Sequence, residues 1–160
     1  MELRPVAEHD VDALVALLNI PDVKRWWNRW DAARVRDDLI DDDEATWLAI
    51  EQDGRLVGVI GYYEEDDPDY RHAGMDIAVH PNVFGTGVAL DALRAVCRLL
   101  IEDKGHHRLI IDPNAANARA IAAYRKLGFR DVGIMRKYER GLDGQFTDSL
   151  LMDMLADELT

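Results

Sequence analysis

Apolar residues at Val11, Leu14, Leu17 and Leu18 recur at the three-to-four-residue spacing of one helix face. Asp10 stands where an N-cap would, and Pro21 is the expected stop. Leu3–Val6 before it reads as a short strand, and Asp31 is placed to cap a second helix running to Ile40. The period then shortens. Thr46–Glu51 and Arg55–Tyr63 are strand-like and meet at Gln52-Asp53-Gly54, a strong hairpin signal. A further strand ends at Val79, where Pro81-Asn82 turns the chain. Helical spacing returns at Ala89, Leu90, Leu93, Val96, Cys97, Leu100 and Ile101, with Asp91, Arg94, Arg98 and Glu102 opposite and Gly105 as the C-cap. Arg108–Ile111 reads as a buried strand. Asn114 is expected to cap a helix over Ala115–Leu127 that Gly128 closes, and Phe129–Arg140 with Phe146–Met154 forms a last hairpin around Gly141-Leu142-Asp143-Gly144. The expected order is strand, two helices, three strands, helix, strand, helix, two strands. No repeat or linker interrupts it, so the 160 residues are expected to form a single domain, 1–160.

Composition narrows the function. The chain is 48% hydrophobic, which favours a folded globule over disorder. Its formal net charge of −12 argues against nucleic acid or an anionic membrane as partner and is compatible with a cationic ligand. One cysteine, Cys97, excludes a disulfide framework and fits a reducing compartment. The histidines show no ligand spacing, so no metal is expected. No signal-peptide pattern opens the chain and no apolar run approaches about 18 residues, which leads to a cytoplasmic expectation. Monomer and homodimer both remain open.

The chemistry concentrates between Asp76 and Gly128. A strand end, Ile77-Ala78-Val79, is followed by Gly85-Thr86-Gly87 and a helix. Free amides at a helix start attract anions, and glycine lets a phosphate come close to the backbone. Two glycines alone make only a tight turn. Leu90 stands where a dinucleotide fingerprint needs its third glycine, and no Gly-Lys-Ser/Thr follows, so a P-loop is excluded.

The wider pattern is more specific. Asn82-Val83-Phe84-Gly85-Thr86-Gly87 resembles the pyrophosphate loop of the GNAT superfamily of acyl-CoA-dependent N-acetyltransferases, with Asn82 where a long Arg or Gln is usual. Asn117, Ala120, Tyr124 and Leu127-Gly128-Phe129 resemble the family's next motif. The resemblance covers the whole chain. It implies an α/β (α+β) fold with a central mixed, mostly antiparallel, splayed sheet flanked by helices. It also implies that acetyl-CoA contacts Ile77, Ala78 and Val79, then Phe84, Gly85, Thr86, Gly87, Val88 and Ala89, and finally Asn114, Asn117 and Tyr124. Tyr124 falls where the family places a tyrosine beside the CoA sulfur; a phenol of pKa ~10 can protonate a departing thiolate.

Within the superfamily the chain is most similar to aminoglycoside 6′-N-acetyltransferases. Leu3-Arg4, Glu8-His9-Asp10, Leu18-Asn19 and Trp26-Trp27 match their N-terminal segment, and Glu64–Pro68 matches the acidic loop facing the drug. Gly74-Met75-Asp76 and Ile111-Asp112-Pro113 match segments whose aspartates meet the amine. The resemblance thus implies a small cationic amine as partner, contacted by Trp27, Glu65, Asp76, Asp112 and Asp143. The physics agrees. An alkylammonium is only ~0.1% deprotonated at neutral pH, a penalty of about 4 kcal/mol. A positioned carboxylate such as Asp76 can anchor the cation and accept its proton. Each candidate also has a plain structural role: turn carboxylates for Asp112 and Asp143, a strand aspartate for Asp76, packing for Trp27 and Tyr124. The alternatives are a protein N-terminal or polyamine acetyltransferase, a siderophore acyltransferase (disfavoured by Asp76 where histidine is usual), and a non-catalytic acyl-CoA-binding module.

Overall fold

The computed structural model describes residues 1–160. Its strands are β1 (Glu2–Pro5), β2 (Ala45–Gln52), β3 (Arg55–Glu65), β4 (His72–Val79), β5 (Arg108–Ile111), β6 (Arg130–Arg140) and β7 (Phe146–Leu155). Its helices are α1 (Val11–Leu18), α2 (Pro21–Trp27), α3 (Ala32–Val35), α4 (Val88–Arg98) and α5 (Ala118–Leu127). The strands form one sheet in the order β1-β2-β3-β4-β5-β7-β6. β4 and β5 are parallel, whereas β1–β2, β2–β3, β5–β7 and β6–β7 are antiparallel. This is the mixed, mostly antiparallel α/β architecture expected. The chain divides into two compact units, residues 1–63 with 76–93 and residues 64–75 with 94–160.

In the first unit the β2–β3 hairpin turns through Asp53 (φ 53°) and Gly54 (φ 73°), two consecutive left-handed residues that match the right-handed twist of the strands. β3 lies close to β4 because Gly58 has no side chain: a Cβ there would stand 2.6 Å from the Ala78 carbonyl oxygen. The apolar face of α1 packs with Val23, Trp30, Val35, Leu39, Ala49, Val59 and Ala78 into one core cluster.

Two local expectations change here. Pro21 does not merely end α1. It is the first residue of α2, an additional helix, since a proline needs no amide partner at that position. Asp10 does not cap α1 with its side chain. Its carboxylate is held bidentately by Arg4, at 2.7 Å from each oxygen, and accepts the Ala7 amide. Asp31 caps α3 as expected, accepting from the Arg34 amide at 2.8 Å, and the helix widens into a π-turn over Arg36–Ile40.

In the second unit, the α4 helix ends through a π-turn at Leu99–Asp103, and Gly105 (φ 73°) reverses the chain. β5 pairs with β4 at Ala73–Leu109 and Gly74–Ile110, and with β7 along its length. Gly128 (φ 114°) closes α5 against the Glu158 carbonyl, which leaves no room for a Cβ. The buried side chains of this unit include Leu100, Leu109, Leu127, Met152 and Met154.

Candidate active site

Asp76 starts the portion of β4 that belongs to the first unit. It is exposed, whereas Met75 immediately before it is buried on the opposite face of the strand. After Val79, the His80 amide still bonds to Val57 O at 2.7 Å, and a single 3₁₀ turn, Pro81–Val83, carries the chain off the sheet. The turn consumes its own donors. The Asn82 amide donates to His80 Nδ1, that of Val83 to His80 O, that of Phe84 to Pro81 O and that of Thr86 to Val83 O. The Thr86 hydroxyl also donates to Val83 O, at 2.7 Å. Phe84 and Thr86 therefore spend their amides inside the loop.

The glycines differ. Gly85 (φ 75°) and Gly87 (φ 94°) are left-handed, and nothing lies within 4 Å of where their Cβ atoms would be. The first α-helical bond here is Asp91 N to Gly87 O, which leaves the amides of Val88, Ala89 and Leu90 without intrahelical partners. An open, positive-φ glycine pair leading into unspent helix amides fits a phosphate-bearing group such as the pyrophosphate of acetyl-CoA.

Trp27 lies in an aromatic cluster, with ring centroids 6.0 Å from Trp30 and 5.9 Å from Trp47. It is partly buried against the core of the first unit, so packing already uses much of its ring.

In the second unit Tyr124 sits on α5 and is 6% exposed, edge-on to Phe129 at 6.2 Å. The cap of this helix corrects an expectation. Asn117, not Asn114, accepts the Ala120 amide (3.3 Å), and α5 starts at Ala118. Asn114 instead accepts from the Ala116 amide and donates to Thr147 Oγ1 at 2.9 Å, tying the preceding loop to β7.

Asp112, just past the end of β5, is half-buried. Burial raises its proton affinity, and a hydrogen bond from Tyr138 partly offsets this. Glu139 on β6 is likewise pushed up, by burial first and then by the charge of Asp112. Sequence reading missed Glu139 and Tyr138. The signal that would expose them is a register change: between the pairs Met135–Ser149 and Glu139–Thr147 the strand bulges, so alternation no longer says which face a side chain takes.

The remaining acidic candidates make local bonds. Glu65 is exposed and accepts the Asp67 amide; Asp143 is exposed and accepts the Gln145 amide in the β6–β7 turn. Glu64, at the end of β3, is paired with Lys104 Nζ and His106 Nε2, both at 2.7 Å, and these partners hold its carboxyl below the usual range.

Comparison with known proteins places this arrangement. The family described as acetyltransferase (GNAT) domain matches residues 1–130. Aminoglycoside N(6′)-acetyltransferase type 1 of Klebsiella pneumoniae is 28% identical over 151 residues, covering 82% of this chain and 74% of that protein. Spermidine N(1)-acetyltransferase of Escherichia coli (strain K12) is 27% identical over 158 residues, 95% of this chain and 84% of that one. The solved structure of AAC(6′)-Ib in complex with paromomycin and acetyl-CoA superposes with a TM-score of 0.78 at 24% identity, covering 98% of this chain and 93% of that one. The chain belongs to the GNAT family of acetyltransferases.

Proposed function

We propose that this protein transfers the acetyl group of acetyl-CoA to a primary amine of a small polycationic acceptor, most specifically the 6′-amine of an aminoglycoside. The observation that carries the acceptor class is the half-buried pair Asp112 and Glu139. Burial raises the cost of charging both, the charge of Asp112 raises that of Glu139 further, and an ammonium is the ligand that relieves both. Asp76 anchors the reacting ammonium and takes its proton, and Tyr124 protonates the departing thiolate. Gly85, Gly87, Val88 and Ala89 hold the pyrophosphate, with amides of Ile77 to Val79 at the thioester. The formal charge of −12 favours cation capture. The similarity to an aminoglycoside N(6′)-acetyltransferase, and to AAC(6′)-Ib in complex with paromomycin and acetyl-CoA, supports the amino sugar and the acetyl donor. A polyamine acceptor is the second reading, favoured by the spermidine relative's coverage of 95% of the chain.

The test is thiol release from acetyl-CoA with kanamycin-type aminoglycosides, spermidine and N-terminal peptides. Turnover is expected with the amino sugar, and Asp76→Asn should lower its kcat/KM at least about tenfold, a loss of ~1.4 kcal/mol. Acetylation of a peptide only, with Asp76 dispensable, would overturn the acceptor.

A further inference from the structure

Opposite Asp148 of β7, β6 carries three residues, Arg136, Lys137 and Tyr138, between the registered pairs Met135–Ser149 and Glu139–Thr147. Lys137 at the centre has φ 48°. A left-handed conformation is unfavourable for a residue with a Cβ, so something must hold it. The Asp148 side chain does: its Oδ1 accepts the Lys137 amide at 2.8 Å, replacing the ladder bond the bulge removes. The next residue, Tyr138, hydrogen-bonds through its side chain to Asp112.

Asp148 grips the other partner too. Its carbonyl accepts the Ala115 amide at 2.9 Å, next to the Asn114–Ser149 bridge and the 2.8 Å bond from Leu150 N to Pro113 O. The segment that follows Asp112 is thus laced to the backbone at Asp148, and the turn that presents Tyr138 is laced to its side chain. One residue sets the register of both halves of the Tyr138–Asp112 contact.

We propose that Asp148 is a positioning residue for the amine acceptor: by holding Lys137 left-handed it keeps the Tyr138 hydroxyl on Asp112 and so fixes the orientation of the carboxylate that receives an ammonium. This rests on the reading of Asp112 as an acceptor-binding carboxylate. It makes the β6 bulge a device for acceptor affinity rather than a defect of the sheet.

Steady-state kinetics with the acceptor found active, alongside titration of acetyl-CoA, test it. Asp148→Ala should raise KM for the amine about tenfold, with kcat and acetyl-CoA affinity within about twofold of wild type. Asp148→Asn keeps the accepting oxygen and should stay within about twofold throughout. Adding Lys137→Gly to Asp148→Ala should recover most of the lost KM, because glycine takes the left-handed conformation unaided. Recovery of this kind is not expected from a merely missing contact. Tyr138→Phe, which leaves the backbone intact, should raise KM as Asp148→Ala does, and it keeps the question decidable if Asp148→Ala fails to fold. An unchanged KM in Tyr138→Phe, or a loss in Asp148→Ala that Lys137→Gly does not recover, overturns the positioning role. Asp112→Asn separates the two levels. If it leaves KM unchanged, the reading of Asp112 itself is wrong and the proposal falls with it; if it raises KM while Asp148→Ala and Tyr138→Phe do not, only the positioning role is lost.

Discussion

Burial raises the proton affinity of Asp112 and Glu139, whereas pairing with Lys104 and His106 lowers that of Glu64. The two cases respond to acid in opposite senses. A carboxyl with a raised folded pKa binds its proton more tightly folded than unfolded, so it penalises the fold as pH rises through its unfolded and then its folded pKa. One with a depressed pKa contributes stability above its unfolded value and loses it as pH falls through the folded one. Glu139→Gln is therefore expected to raise the melting temperature at pH 7, by an amount that shrinks as pH falls through and below the ordinary glutamate range; thermal scans at neutral and acid pH check this. Tyr124 allows a cleaner separation of packing from chemistry. Its ring is buried edge-on to Phe129, and Tyr124→Phe keeps that contact. The expected result is a kcat lowered ~10–100-fold, with melting temperature and acetyl-CoA affinity close to wild type. An unchanged kcat where chemistry limits turnover would return Tyr124 to packing alone.

At the level of elements, α5 depends on Asn117. Replacing it by alanine strands the Ala120 amide, and Asn117→Ala should cost about 1 kcal/mol in denaturant unfolding, while Asn114→Ala leaves the cap bond intact. The two asparagines also mark where sequence reading stops. Both precede the same apolar run and both favour caps; only the turn at Ala115-Ala116 decides between them. The Asp53-Gly54 hairpin was legible because its residues advertise left-handed backbone. The bulge at Lys137 was not, because lysine carries no such signal and the residue that supports it, Asp148, lies on the other strand. Pro21 was legible as a boundary but not as a beginning, since proline serves at both ends of a helix. The glycine loop and the helix after it followed from local pattern alone. Glu139 needed a register no local pattern contains.

Across the whole molecule, β4 and α4 each run from one compact unit into the other. Local reading expects a single domain, and the distribution of two residue types makes that measurable without any substitution. All four tryptophans, Trp26, Trp27, Trp30 and Trp47, belong to the first unit, so intrinsic fluorescence on selective excitation follows that unit alone. The sole cysteine, Cys97, belongs to the second, fully buried on α4. Burial pushes its thiol up to about 12, so it reacts with a thiol reagent only when the surrounding core opens. Unfolded in urea, the chain should show the fluorescence change and the onset of Cys97 labelling at the same midpoint, because a strand and a helix shared by both units cannot be half lost cheaply. Separate midpoints would mean that the units melt independently. The wild-type chain thus carries its own pair of reporters, one spectroscopic and one chemical, with one in each half.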